Sequence, residues 1–565
     1  MKTKHIILNI FFVSIIFSCG AQNLVPFNWN FSFQKDTVAF QNRSVNLLLS
    51  WERQGLSYLS PKGVLTNSFY VPKRTKPINL ILEINLLLQV HDIYINGHYL
   101  DGGFKTDFVW AATPNYKSKK IKIPAAYLNF GASNTIKINC SNYSYTGGKS
   151  HNKVLVYPES SVSKSTIKLL FDSKQHVFKA NDNVSFKINT IAASRGEIDV
   201  LIRNDYHDTL VVKKISAKKG EQNQTVNLNN ENLPPGFYEV IAVLNDNGYV
   251  GHRAWFTIAP TKIKKSTVAP SGFDAYWDSA IRELKSVDPQ YKVTRVDSLC
   301  TAKRDGYIVE MTSIKNLTIK GYYFVPKEKK TYAAILNLPG YGYGFEYLDE
   351  FRNVEEDVIE LAICVRGHGI SKDAFNTEFP APGFIGYNIC DVDKIGYRQI
   401  YMDCIRAVQF LLSRDEVDTS KIGVVGGSQG GGLALMTAGL MPNSVKACAY
   451  FDPFPTDLRN HILTRTMIKD EVKSYLKYYN NACDLEHALN TFDFLDTSHF
   501  AKNITCPTFY ATALLDDDCT PRIGFVAYNK IESKKEFKVF PEDSHIGESN
   551  WKKDAMSFFK KQFNF

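Results

Sequence analysis

The 565-residue chain contains no CxxC pair, no long block of lysine or arginine, and no apolar run of membrane-spanning length. Each absence removes a class of function. Ten cysteines without close spacing leave neither a zinc-ribbon nor a dithiol-redox pattern, and no metal-ligand spacing is visible. The net charge of +10, from 67 basic and 57 acidic residues, is too diffuse for a nucleic-acid stripe, although a mildly basic surface suits an acidic polysaccharide. GxGxxG and the Lys-Ser/Thr of a P-loop are also missing, which argues against a phosphate cradle. What is present is ordinary globular protein, 44% hydrophobic and 22% charged, long enough for roughly two to four domains.

The chain opens on an address. Lys2 and Lys4 precede an apolar run from Ile6 to Phe17, too short to cross a bilayer, and then the small residues Ser18, Cys19, Gly20 and Ala21. This is a secretory signal over 1–21, with two readings: cleavage near Ala21, or a lipoprotein box ending at Cys19, which would then carry a lipid anchor. Either implies export to the periplasm, the exterior or a membrane surface. Export permits disulfides, but Cys364, Cys404, Cys448 and Cys506 sit in apolar surroundings that suit buried free thiols.

Two all-β sandwiches are expected next. Between 24 and 159, segments such as NLILEINLLLQV, HDIYINGHYL and TIKINC alternate with period two between turn residues. Asn96-Gly97 reads as a tight hairpin turn. Through Val90–His98 and the strand Asn134–Ile138 this stretch resembles the galactose-binding-like jelly rolls attached to glycan-processing enzymes. In such a sandwich Trp110 and Tyr99 are core aromatics first and sugar-stacking candidates second. A second block, 160–260, packs about seven short strands into about a hundred residues and suggests an immunoglobulin-like spacer.

After a short linker containing Lys262, Lys264 and Lys265, the pattern becomes strand, loop, helix over 265–565. An amphipathic helix starts at Phe273, another spans about Tyr397 to Arg414, and a last one about Trp551 to Gln562. Strands alternating with helices predict a parallel sheet covered on both faces, with its site at the strand C-terminal ends.

The chemistry is carried by KIGVVGGSQGGGLALM, residues 421–436. Ile422–Val425 reads as a strand and the segment after Ser428 as a helix, so Gly426-Gly427-Ser428-Gln429-Gly430 is a GxSxG elbow with Ser428 as candidate nucleophile. A serine hydroxyl needs a base and an orienting acid, which follow in the order Ser, Asp, His on this fold. Of the downstream histidines, only His545 lies in a loop after the last strand. The acid should end the preceding strand: Asp516 comes first, with Asp517 and Asp518 as competitors. His499 reads as a satisfied helix-end histidine.

From about Ser271 onward the chain is similar to the acetyl xylan esterase and cephalosporin C deacetylase family, carbohydrate esterase family seven. The resemblance is carried by GGSQGGG at 426–432, Asp516 with Cys519-Thr520-Pro521, Arg366-Gly367-His368-Gly369, Ser544-His545, and Gly340-Tyr341. It departs at His368, Ile546 and Pro339, where the family has Gln, Glu and His. The resemblance implies Asp516 as triad acid, an oxyanion hole from the backbone N–H groups of Tyr341 and Gln429, and positioning roles for Arg366 and His368. It also implies acetylated carbohydrate, such as xylan or xylo-oligosaccharides, as substrate, no cofactor, and possible oligomers. An acyltransferase or peptidase on the same fold, or a polysaccharide-binding protein with a vestigial hydrolase domain, are the alternatives.

Overall fold

The computed structural model describes residues 23–565 apart from 35–40, 50, 52–53, 55–61, 87, 106–117, 144–152, 160–164, 230, 265–267, 342–343, 346–347, 349–350, 352–356, 378–382, 479–482 and 546–549. Residues 1–21, expected from the sequence to be a secretory leader and including Cys19, lie outside the described residues, as do Trp110 and Ile546.

The N-terminal region is mostly β-sheet, arranged as two pairs of sheets. In the first pair, an antiparallel six-stranded sheet runs in the order Gln41–Asn46, Asn28–Gln34, Lys62–Val71, Ala132–Tyr143, Leu88–Ile95, His98–Lys105. It shares a core with a three-stranded sheet of Lys119–Ile123, Leu80–Asn85 and Lys153–Pro158, through Trp29, Leu65, Leu82, Ile93, Ile138 and Val156. Asn96 and Gly97 turn the hairpin at φ 49° and 85°, conformations that Asn and Gly tolerate. Tyr99 is 54% exposed.

The second pair is a three-stranded sheet, Thr166–Leu170, Ser185–Ala192 and Gly220–Asn227, and a five-stranded sheet centred on Gly236–Asn245. They share a separate core that includes Phe186, Val200, Val240 and Phe256. Period-two burial along Ser185–Ala192 shows why the alternating sequence folds this way.

The C-terminal region is built on a nine-stranded sheet. Its strands are β1 (Lys292–Arg295), β2 (Arg304–Ser313), β3 (Leu317–Pro326), β4 (Tyr332–Leu338), β5 (Val358–Cys364), β6 (Val417–Gly427), β7 (Ala447–Phe451), β8 (Thr508–Ala513) and β9 (Lys535–Phe540), in the order β1-β2-β3-β5-β4-β6-β7-β8-β9. The strands from β5 to β9 run parallel, and β1–β3 form an antiparallel flank joined through β5. Helices cover both faces: α1 (Phe273–Lys285), α2 (Gly396–Leu412), α3 (Gln429–Leu440), α4 (Leu458–Thr464), α5 (Thr466–Tyr478), α6 (Leu485–Asp493), α7 (Pro521–Lys530) and α8 (Trp551–Phe563). Successive strand residues serve opposite faces. Leu336, Val424 and Tyr450 join Leu433 and Tyr401 on one side, whereas Ile335, Val425 and Ala449 meet Phe558 and Phe559 of α8 on the other. Being covered on both faces, β7 and β8 are buried at every position, so their sequences read as continuous rather than alternating apolar runs.

The second pair of sheets packs against this unit. Arg522 of α7 forks onto Asp205 with bonds of 2.5 and 2.8 Å, Phe237 meets Phe525 at 5.8 Å, and His207 Nε2 donates to the Thr464 carbonyl at 3.0 Å.

Candidate active site

β6 ends at Gly427 and α3 begins at Gln429, leaving Ser428 alone on the turn with φ 58° and ψ −126°. That backbone is strained for a residue with a Cβ, and its neighbours must be small. A Cβ on Gly426 would run into the Gly430 backbone, and one on Gly430 into the Leu338 carbonyl. The Ser428 N–H is held by the Phe451 carbonyl at 2.9 Å, and its own carbonyl accepts from the Gly431 and Phe454 N–H groups at 2.9 Å each. The turn is thereby fixed from β7 as well as from α3.

The Ser428 hydroxyl faces His545 Nε2 at 3.0 Å, and His545 Nδ1 faces Asp516 Oδ2 at 2.7 Å. Asp516 is fully buried, and its other oxygen accepts the N–H groups of Asp518 and Cys519, both at 2.8 Å. Three donors therefore converge on a carboxylate out of contact with water. Of the three consecutive aspartates, Asp516 is the one that meets Nδ1. Asp517 is buried, and Asp518 is bound by Arg465 with its carboxylate 3.5 Å from His545 Nε2. The Asp518 carbonyl accepts from His461 Nε2 at 2.6 Å and from Arg465 at 3.0 Å. His461 and Arg465, from α4 and the turn after it, are thus added to the surroundings of the site; nothing in the residue spacing pointed to them.

Tyr341 follows β4, whose last residue Leu338 pairs with Gly426 of β6, so the Gly340-Tyr341 segment and the elbow emerge side by side from the same sheet edge. Gln429 opens α3, where backbone N–H groups have no partner within the helix and carry its positive end. Its side chain does something the sequence did not disclose. Gln429 Nε2 donates to the Gly340 carbonyl at 3.1 Å and to His368 Nε2 at 3.0 Å, and Oε1 accepts from the Tyr397 hydroxyl at 2.8 Å. One buried amide thus couples the elbow to the Tyr341 loop, the His368 loop and α2.

His368 is fully buried, its ring 4.5 Å from that of Phe384. Because Nε2 accepts from Gln429, the ring proton sits on Nδ1 and is donated to the Arg366 carbonyl at 3.0 Å. Burial lowers this histidine to about 4, consistent with a neutral ring. Arg366, also fully buried, forks onto Asp403 at 2.8 and 2.6 Å and donates to Gln399 at 2.6 Å. The pair pins the loop after β5 to α2 and lies behind the site rather than in it. His499 ends a short 3-10 turn, buried against Phe273 at 5.4 Å.

The Tyr341 side chain enters a polar chain: its hydroxyl is 3.4 Å from that of Tyr475, which donates to Glu471 at 2.6 Å. A disulfide between Cys390 and Cys483, 93 residues apart, ties the segment before α2 to the entry of α6. Cys364, Cys404, Cys448 and Cys506 are buried thiols. Among the described residues no cluster of His, Cys, Asp or Glu is arranged to hold a metal ion.

A parallel sheet with an antiparallel flank and a strand–serine–helix elbow at its C-terminal edge defines an α/β-hydrolase. Residues 261–563 match the acetyl xylan esterase (AXE1) family, and the chain belongs to it. It is a carboxylic ester hydrolase, with the carbohydrate esterase role of that family. The chain is 26% identical over 346 residues to acetyl esterase Axe7A of Xylanibacter ruminicola, covering 58% of this chain and 75% of that protein. A solved acetyl xylan esterase from Paenibacillus sp. R4 matches at 28% identity with a TM-score of 0.50, over 54% of this chain and 98% of its own. Acetyl xylan esterase 1 from Thermoanaerobacterium sp. JW/SL YS485 matches at 26% identity with a TM-score of 0.48, over the same shares.

Proposed function

We propose that this protein is an exported O-deacetylase that removes acetyl groups from carbohydrates such as acetylated xylan or xylo-oligosaccharides, through a Ser428-His545-Asp516 triad. The observation that carries the reading is the placement of His545, 3.0 Å from the serine hydroxyl and 2.7 Å from the Asp516 carboxylate. Asp516 accepts from Nδ1–H, which leaves Nε2 free to take the serine proton as Oγ attacks the acetyl carbonyl. The oxyanion then sits between the N–H groups of Gln429 and Tyr341, each such donor being worth about 3 kcal/mol. His545 returns the proton to the departing sugar hydroxyl, leaving an acetyl-enzyme. It next deprotonates water, which attacks that ester and releases acetate. Arg366 and His368 hold the surrounding loops and take no part in proton transfer.

The two N-terminal pairs of sheets are read as a galactose-binding-like unit over 24–159 and an immunoglobulin-like unit over 160–260, ahead of the hydrolase at 265–565. Residues 1–21 direct export, with Cys19 a candidate lipid anchor. The Cys390–Cys483 disulfide supports an oxidising compartment. Acetate release from acetylated xylo-oligosaccharides, acetylated pectin, simple acetylated sugars and an acylated peptide library tests the substrate class. Turnover of the sugar acetates above the peptides supports the reading, and peptide turnover alone overturns it.

A further inference from the structure

Asp452 is a buried carboxyl that the ester chemistry leaves unused. It directly follows β7, with its backbone at φ 30° and its side chain fully buried. Oδ1 lies 2.6 Å from the Thr512 hydroxyl and 3.2 Å from the Tyr510 hydroxyl, and Oδ2 accepts the Ala513 N–H at 3.0 Å. The same carboxyl lies beside Asp516, close enough for the two to share a proton. Two carboxyl groups in contact and shut off from water cannot both carry a charge, so one proton belongs to the pair.

The partners decide where that proton sits. Asp516 receives two backbone N–H groups and the imidazole, and backbone amides can only donate. Its oxygens are therefore fixed as acceptors. Two of the partners of Asp452, Thr512 and Tyr510, are hydroxyls, which can turn round and accept. Tyr510 even has a second outlet for its own proton, the Pro521 carbonyl at 3.3 Å. Burial, reinforced by the Asp516 charge, moves Asp452 well above the ordinary carboxylate range.

The other titratable groups around the pair are Tyr450 on β7, Tyr510 on β8, Cys519 beyond it, and His461 on α4. Burial raises the two phenols and the thiol and lowers the histidine to about 3, which keeps all four neutral. Arg465, the nearby cation, is bound by Asp518.

We propose that Asp452 retains its proton while Asp516 is ionised, and donates it in a hydrogen bond to Asp516. It is then a positioning residue that aims the triad acid at His545 and tempers its basicity. The inference rests on the triad reading above.

The test compares the full-length wild type with D452N and D452A, by infrared spectroscopy at pH 8 and by the pH profile of kcat/KM for an acetylated sugar. A protonated-carboxyl C=O band is expected in the wild type and absent from both variants. Asn supplies an N–H donor of similar reach, so the acidic limb of D452N stays within about 0.3 pH unit of the wild type. Ala supplies none: Asp516 becomes more basic and raises His545. The acidic limb of D452A moves to higher pH, and kcat/KM falls by about tenfold, a loss that Asn partly restores. A wild-type spectrum lacking that band overturns the proposal. So does a shift of the D452N limb to lower pH by about one unit, the effect of deleting a full negative charge, or a D452A limb that does not move. Failure of the triad reading is seen separately, as activity surviving in S428A.

Discussion

His368 shows how a single side chain ties the site to the stability of the fold. Its ring is fully buried and neutral, donating to Arg366 and accepting from Gln429. Burial holds it at about 4 and holds His461 at about 3, whereas an exposed histidine titrates near 6.5. A folded-state value lowered in this way means that the unfolded chain takes up the proton first. Stability is therefore complete above about pH 6.5 and falls as the pH drops toward 4. His368 alone accounts for a loss on the order of 3 kcal/mol by the time the pH is below about 4. Urea unfolding at stepped pH should show midpoints declining across this window, and H368Q, which keeps a donor and an acceptor without a titrating ring, should flatten the decline. A wild-type midpoint that does not change between pH 6.5 and 4 would contradict the assignment. At this scale the sequence disclosed Ser428 because its constraints are local: strand, glycines and helix all lie within 421–436. It did not disclose the Gln429 amide, whose partners Gly340, His368 and Tyr397 come from three separate segments, nor Asp452, whose neighbours are on β8.

At the scale of elements, the site is assembled from strand ends. β4 delivers Tyr341, β6 delivers Ser428, the loop after β8 delivers Asp516, and the loop after β9 delivers His545. That order was legible because β4, the end of β6 and β8 are short buried apolar runs, each followed within three residues by the group it presents; β9 is less buried, and His545 lies five residues beyond it. The helices were legible to within a few residues: the one expected from about Tyr397 to Arg414 spans Gly396–Leu412. The Cys390–Cys483 link was not, since pairing over 93 residues is a property of the folded chain. It joins the segment carrying Phe384 and Ile385, whose neighbours are His368 and Tyr341, to the helical cap of α5 and α6. Closing a loop of that length restricts the unfolded chain, so the C390S/C483S variant should lose about 2–4 kcal/mol of stability in chemical denaturation. An unchanged denaturation midpoint would show that the link contributes nothing.

At the scale of the whole molecule, the second N-terminal pair of sheets docks on α4 and α7 of the hydrolase. Alternating runs with frequent turns foretold the strands, but not their docking, which depends on residues distant in sequence. Asp205 meets Arg522 across 317 positions, and Phe237 meets Phe525. This contact lies on α7, directly after the loop that carries Asp516, so the β region braces the element next to that residue. The central claim remains that Ser428 is the nucleophile of a deacetylase, and the most direct measurement is acetate release from acetylated xylo-oligosaccharide by S428A beside the wild type. With the S428A fold verified by an unchanged unfolding midpoint, the account predicts a fall in kcat of about 10⁴-fold or more. Acetate release within tenfold of the wild type by the folded S428A protein would contradict it.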